Sequence, residues 1–372
     1  MQYRTITLDQ LSRKASLAGN KHALVGLDGF VDKIIAPVAA RSGRGDAFTP
    51  FASMTEFGQR ILDFAGMSCN IELYPRMEKL GGNGPIMANA LLSGGMNVRY
   101  IGALGEPSIH PVFEEFAKRT NAVSLCDPGV TNALEFDDGK ILLGLMASLD
   151  ELCFERIISR MGEGAFIDEL SRCDLVAMTN WTMIPRMTEI FEALLERVLP
   201  TLPPRDGGRL FFFDLADPKK RSDGDIRNVL EVIGRFRGHG RVTLGLNFAE
   251  AQQVAKVLGF SCPERGEQAL KLAAAAIRQK LEITCVVIHP RECAACATRD
   301  GTWFTEGPLC EKPLISTGAG DHFNAGFVTG QVIGLCPEAC LTLAVCFSGQ
   351  YVRTAQSPSL MQTDSFLRGW KD

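Results

Sequence analysis

The sequence predicts an α/β protein: a doubly wound, mostly parallel central sheet flanked by helices, with a small β-sheet lid. Three observations carry this. From about residue 145 onward, helix-length and strand-length segments alternate, as they do where crossover helices link parallel strands. Strand segments in that stretch, 210–213 and 283–289 among them, are apolar without alternation, as strands covered on both faces are. Before residue 145 the segments are punctuated by turns and do not keep that rhythm, which predicts a separate β layer over one edge of the sheet.

Taken in order, a short N-terminal helix leads to the stretch 22–30 (HALVGLDGF), a buried strand running into a glycine-punctuated turn. Residues 31–40 continue as a second strand, 53–64 read as a helix and 71–80 as extended chain. Gly81-Gly82-Asn83-Gly84-Pro85 opens an apolar helix, followed by a strand over 97–104. Phe136-Asp137-Asp138-Gly139-Lys140 makes a hairpin turn between the alternating apolar residues of 130–145. A helix then ends near 170, and strands follow at 175–178, 210–213, 242–246 and 283–289. Helices over 186–198, 225–236, 248–257 and 267–280 separate them. The whole chain, 1–372, is predicted to be one domain, its lid supplied by segments near 31–50, 70–82 and 126–146.

Composition narrows the function. With 46% hydrophobic and 22% charged residues the chain is that of a globular protein, and a formal net charge of −4 without a Lys/Arg run excludes an electrostatic nucleic-acid footprint. No apolar stretch reaches the roughly 18 residues that span a bilayer, and the first residues lack the apolar core of a signal peptide. The expected location is cytoplasmic. Twelve scattered cysteines, mostly in apolar segments, read as buried thiols. Cys293-Ala-Ala-Cys296 is the sharpest metal-like spacing but lacks a second ligand pair.

Four short motifs could carry chemistry. In STGAGDHFNAGF (316–327), Gly318 and Gly320 permit positive φ and close backbone approach, and an apolar helix follows. The unpaired N–H groups of its first turn can hold an anion, and Asp321 suits either an N-cap or a general base. The dinucleotide fingerprint is excluded because its third glycine is replaced by Phe323, and a Walker loop is excluded because no lysine follows. Asn247 and Glu250, three apart at a strand's C-terminal end, form either a capping box or an oxygen pair for hydrated Mg²⁺. Asp28 and Asp32 follow the first strand, where carboxylates can accept hydrogen bonds from several hydroxyls. Gly82 and Asn83 present backbone and an amide at a helix start.

In this order the motifs resemble the ribokinase-like (PfkB-type) carbohydrate kinases. Gly318, Gly320, Asp321, Phe323, Gly326 and Phe327 match the family's closing motif, and Gly81, Gly82, Ala88, Leu91 and Gly95 match part of its opening one. The resemblance implies transfer of the γ-phosphoryl of ATP, with Mg²⁺, to a hydroxyl of a sugar or sugar-like molecule. It implies that Asp321 is the general base and that the amides of Gly318, Ala319 and Gly320 form the anion hole. Asn247 and Glu250 would organise Mg²⁺ through water, and Asp28, Asp32, Gly82 and Asn83 would hold the acceptor. Asn247, Glu250 and Thr317 would lie at the nucleotide, and a homodimer through the lid is in keeping with the family. A nucleoside acceptor, or an idle relative that binds sugar or nucleotide, are the competing expectations. Three positions depart from the pattern: Ile86 replaces an asparagine, Ile315 replaces an acidic residue near a monovalent-cation site, and the glycines after the 283–289 strand are lost. In their place stands His289-Pro290-Arg291-Glu292-Cys293-Ala294, so His289 or Arg291 is expected to reach the phosphates by charge.

Overall fold

The run Phe211-Phe212-Phe213 shows how the core is divided. Alternate side chains of a strand point to opposite faces, and here Phe211 and Phe213 enter one buried cluster while Phe212 enters the other. Phe211 and Phe213 meet the ring of Phe236 at centroid distances of 5.1 and 5.0 Å in edge-on geometry. Each such ring contributes about 1.5–3 kcal/mol by leaving water.

The structure is a computed structural model that describes residues 2–205, 207–262 and 264–370. Its strands are β1 (His22–Leu27), β2 (Phe30–Arg41), β3 (Phe48–Pro50), β4 (Leu73–Gly81), β5 (Asn97–Ala103), β6 (Val123–Cys126) and β7 (Gly129–Phe136). They continue as β8 (Gly139–Leu145), β9 (Leu175–Met178), β10 (Leu210–Asp214), β11 (Arg241–Leu246), β12 (Cys285–Ile288), β13 (Cys293–Thr298) and β14 (Gly301–Glu306). Nine form one sheet in the order β14-β13-β12-β11-β10-β9-β1-β5-β6. From β12 to β6 all pairings are parallel, and β13 and β14 add an antiparallel hairpin at one edge. The chain lays β1, β5 and β6 outward in one direction, then returns to place β9 on the other side of β1. Between β1 and β9 lies the switch point, beyond whose C-terminal strand ends an α/β sheet opens a crevice.

The remaining five strands make the second sheet. β2 begins three residues after β1 ends, and pairs antiparallel with β4 and β3 and parallel with β7, which carries β8. Its outer strands leave large apolar side chains in solvent, among them Met77, Leu142 and Leu145. The fold is thus the predicted one: a mostly parallel sheet between helices, with a small separate sheet above it.

Several boundaries differ from the sequence reading. The strand-and-turn stretch 22–30 resolves into β1 as far as Leu27, with Asp28 and Gly29 as the corner between the two sheets. The β13–β14 hairpin and the short β3 and β6 carried no strong periodic signal. Cys293 and Cys296 lie three apart on β13 and enter opposite core clusters, so they cannot converge on one ion. Among the described residues, no group of three or more His, Cys, Asp or Glu is arranged to hold a metal, and no helix is long and apolar enough to cross a membrane.

Candidate active site

Asp28 sits at the corner where β1 gives way to the lid, and it is fully buried. Its Oδ2 accepts the Asn83 N–H (2.9 Å) and the Asn180 Nδ2 amide (2.7 Å), and its Oδ1 accepts the Gly84 N–H (2.8 Å). The Tyr100 hydroxyl donates to the Asp28 carbonyl. Two of these donors are first-turn amides of the helix Asn83–Ser93, where a carboxylate is favourable. A Cβ at position 84 would come within 2.7 Å of Asp28 Oδ1, so only glycine allows the approach. Burial nonetheless pushes the Asp28 carboxyl up to about 6, against the lowering effect of those hydrogen bonds. Both oxygens thus bind the protein's own donors, and Asp28 anchors the helix that carries Asn83.

Asn83 in turn reaches the glycine turn. Its Nδ2 donates to Asp321 Oδ1 at 2.9 Å, joining two motifs 238 positions apart in sequence. Gly318, with φ of 87°, is the N-cap of the helix Ala319–Val332, so Asp321 is a first-turn residue and does not cap. The Ala319 N–H closes the turn on the Ser316 carbonyl at 3.2 Å, and the His322 N–H bonds the Gly318 carbonyl at 3.1 Å. The amides of Gly318 and Gly320 have no backbone acceptor among the described residues. Asp321 is buried, and this desolvation lifts its carboxyl to about 8; Asn83 opposes the shift, while the charges of Asp28 and Glu250 add to it.

A third carboxylate belongs to this neighbourhood. Asp214, at the end of β10, is buried and accepts the Asn324 Nδ2 amide at 2.9 Å, while its Oδ1 has no protein donor. Burial, then the fields of Glu250 and Asp321, raise its carboxyl well above the usual range. Asn247 and Glu250 form a reciprocal capping box at the start of the helix Phe248–Val257. Glu250 Oε2 accepts the Asn247 N–H at 2.8 Å, and Oε1 accepts the Asp217 N–H at 3.0 Å. Burial raises the Glu250 carboxyl despite those two donors.

Beside the turn lies a cleft of about 290 Å³ lined by Asp32, Lys79, Ile86, Asn89, Thr317, Tyr351 and others. Asp32, on β2 and partly buried, faces Lys79 and Thr131 on the two neighbouring strands; burial raises its carboxyl and Lys79 opposes this. Lys140, at the lid hairpin, donates to the Thr317 hydroxyl at 3.1 Å, so lid and turn meet across the cleft. Ile86, in the position expected for an asparagine, packs close to Gly318. His289 follows β12, stacks on Phe323 (4.5 Å) and lies beside Gly320, with Nε2 buried and without a partner. Burial lowers its imidazole to about 4. Arg291 points elsewhere: its guanidinium donates to the Cys310 carbonyl at 3.1 Å.

The structure therefore brings together Asn83, Asp28 and the 316–321 turn, sets Asp32 across the cleft, and keeps Arg291 apart. Sequence reasoning did not single out Asn180, Asp214, Asn324 or Lys140. Asn180 and Asp214 carried a local sign, each lying at or just past the end of a buried strand, and Asn324 lay within the 316–327 motif.

The molecule resembles several solved kinases at identities that establish shared fold alone. Fructokinase with bound ATP from Xylella fastidiosa aligns with a TM-score of 0.65 and 15% identity over 94% of this chain and 99% of that one. Ribokinase of Arabidopsis thaliana, complexed with ribose and ATP, aligns with a TM-score of 0.62 and 14% identity over 94% and 98% of the two chains. In sequence, the ketohexokinase of Haloferax volcanii is 27% identical over 351 residues, covering 94% of this chain and 91% of that protein. The prokaryotic ketohexokinase family model matches residues 10–370, and the chain accordingly belongs to that family of carbohydrate kinases with a ribokinase-like fold.

Proposed function

We propose that the protein transfers the γ-phosphoryl of Mg·ATP to a hydroxyl of a ketohexose, with Asp321 as general base. The observation that carries this reading is the Asn83–Asp321 hydrogen bond. It fixes one carboxylate oxygen in the first turn of the helix whose start offers the anion site, next to the turn whose Thr317 borders the lid cleft. Phosphoryl transfer asks mainly for such positioning and for fixed donors around the equatorial oxygens.

In this reading Asp32, Gly82 and Asn83 hold the acceptor, with Asp28 behind them as the anchor of the Asn83 helix. Asp321 takes the proton from the acceptor hydroxyl, whose oxygen attacks the γ-phosphorus as its bond to the departing ADP oxygen breaks. The Gly318 and Gly320 amides, in the turn that Ala319 closes, receive the charge on the transferred group. Asn247, Glu250, Thr317 and His289 border the nucleotide phosphates, the His289 Nε2 supplying a contact where the family pattern has glycine backbone. Arg291, engaged with Cys310, braces the neighbouring loop.

Among the described residues no three such side chains are arranged to hold a metal directly, so Mg²⁺ would be held mainly by the phosphates and water. Asp214, whose Oδ1 lacks a protein donor, lies in the fields of Glu250 and Asp321 and would accept from such a water. Because both Glu250 oxygens already accept backbone N–H groups, Asn247 and Glu250 would hold the ion through water. When bound it would neutralise phosphate charge.

The test is ADP release from Mg·ATP with a panel of ketohexoses, aldopentoses, sugar acids and nucleosides. Turnover greatest on a ketohexose supports the reading. Preferred turnover on a nucleoside would move the protein to a different acceptor class, and ATP binding without turnover on any acceptor would make it a sensor.

A further inference from the structure

The residue that follows the general base, His322, is almost fully buried and has both ring nitrogens engaged. Nδ1 lies 2.7 Å from the Gly318 carbonyl oxygen and Nε2 lies 2.8 Å from the Ser357 hydroxyl. A carbonyl can only accept, so Nδ1 carries the proton and Nε2 accepts from Ser357. The ring stacks on Tyr351 with centroids 3.6 Å apart and an interplanar angle of 13°. The Tyr351 hydroxyl donates to the Thr317 carbonyl at 3.0 Å. Two successive carbonyls of the glycine turn are therefore held by side chains.

In a planar trans peptide the carbonyl and the next N–H point in opposite directions. Holding the Thr317 carbonyl on Tyr351 directs the Gly318 N–H the other way. Holding the Gly318 carbonyl on His322 directs the Ala319 N–H toward Ser316, which closes the turn.

We propose that His322, Tyr351 and Ser357 form a clamp that fixes the glycine turn and with it the direction of the Gly318 amide, with His322 acting as a fixed Nδ1–H tautomer that closes the turn and backs Tyr351. This rests on the reading of the 316–321 turn as the phosphoryl site. His322 borders the lid cleft with Tyr351 and Ser357, but both its ring nitrogens are committed to the protein, so in this proposal it acts through Gly318. A group that matters only for aiming transition-state donors lowers kcat while leaving KM nearly unchanged.

The test compares kcat and both KM values in His322→Ala, His322→Asn, Tyr351→Phe and Ser357→Ala. Losing one preorganised donor costs about 10²–10³ in kcat, so His322→Ala is expected to lose roughly that much with KM for ATP and acceptor changed by less than about 3-fold. His322→Asn, whose amide can still donate to the Gly318 carbonyl, recovers at least about 10-fold of it. Ser357→Ala and Tyr351→Phe remove single hydroxyls, so they keep the claim testable if His322→Ala does not fold; each lowers kcat with KM retained. Nitrogen-15 NMR of the folded enzyme at neutral pH reports a protonated Nδ1 and an unprotonated Nε2. Unchanged kcat in the hydroxyl variants, no recovery in His322→Asn, or the opposite tautomer overturns the clamp. Full activity in Asp321→Asn would instead overturn the underlying reading of the site.

Discussion

At the residue scale, the central fact is a carboxyl raised to about 8 by burial. A general base must be ionised to work, so kcat/KM for the acceptor should climb with pH through an apparent pKa of about 8, far above an ordinary carboxylate. A limb near pH 4 would show that burial does not hold the carboxyl at this raised value in the working complex. The same burial affects stability, and the sign follows from linkage. A carboxyl whose folded pKa lies above its unfolded value stabilises the fold only while protonated, and that contribution is lost as pH rises from about 4 to about 8. Asp321→Asn removes the penalty. It should therefore melt above the parent at pH 8, by a few kcal/mol of stability, with the gap closing toward pH 4. Calorimetry across that range checks it. Asp28 behaves differently because its oxygens have three donors. Asp28→Ala leaves those donors buried and unpaired, and denaturant unfolding should report a loss of about 3 kcal/mol or more.

At the element scale, the helix Ala319–Val332 shows why its motif was readable. Gly318 has φ of 87°, and a Cβ there would lie 3.0 Å from Ile86 Cγ2 and 3.1 Å from the Tyr351 hydroxyl. The left-handed turn therefore demands glycine, and that demand is written in one residue. Gly318→Ala should lower kcat about 10²-fold, because the amides it carries lose their aim, and a rate within 3-fold of the parent would contradict that. Asn247 and Glu250 illustrate the opposite case. The capping box exists, and the same pair at a strand end suits a phosphate site, so spacing alone could not separate the two uses. Contacts made over long sequence distances were not legible at all. Asn180 meets Asp28 across 152 positions and Asn324 meets Asp214 across 110, and no local pattern encodes such pairings.

At the scale of the whole molecule, the alternation of strands and helices predicted the doubly wound sheet, since each buried strand must be apolar on both faces. The lid was legible only as the part that broke that rhythm. Its outer strands expose Met77, Leu142 and Leu145, which are 55%, 58% and 65% accessible. A second copy of the chain is the occupant we expect there, because β8 is a lid edge whose backbone is open to pairing. Sedimentation should report a dimer for the parent and a monomer for a Leu142→Lys/Leu145→Lys double variant; a monomeric parent would remove this expectation. Lid and glycine turn meet at Lys140 and Thr317, and in the proposed reading Asp321, in the first helical turn beyond, serves the acceptor. The most direct test of that placement is the acceptor-dependent rate of ADP release in Asp321→Asn against the parent, with Mg·ATP and a ketohexose saturating. A loss of roughly 10²–10⁴ with nucleotide binding retained is the predicted result, and a rate within 3-fold of the parent would contradict the account.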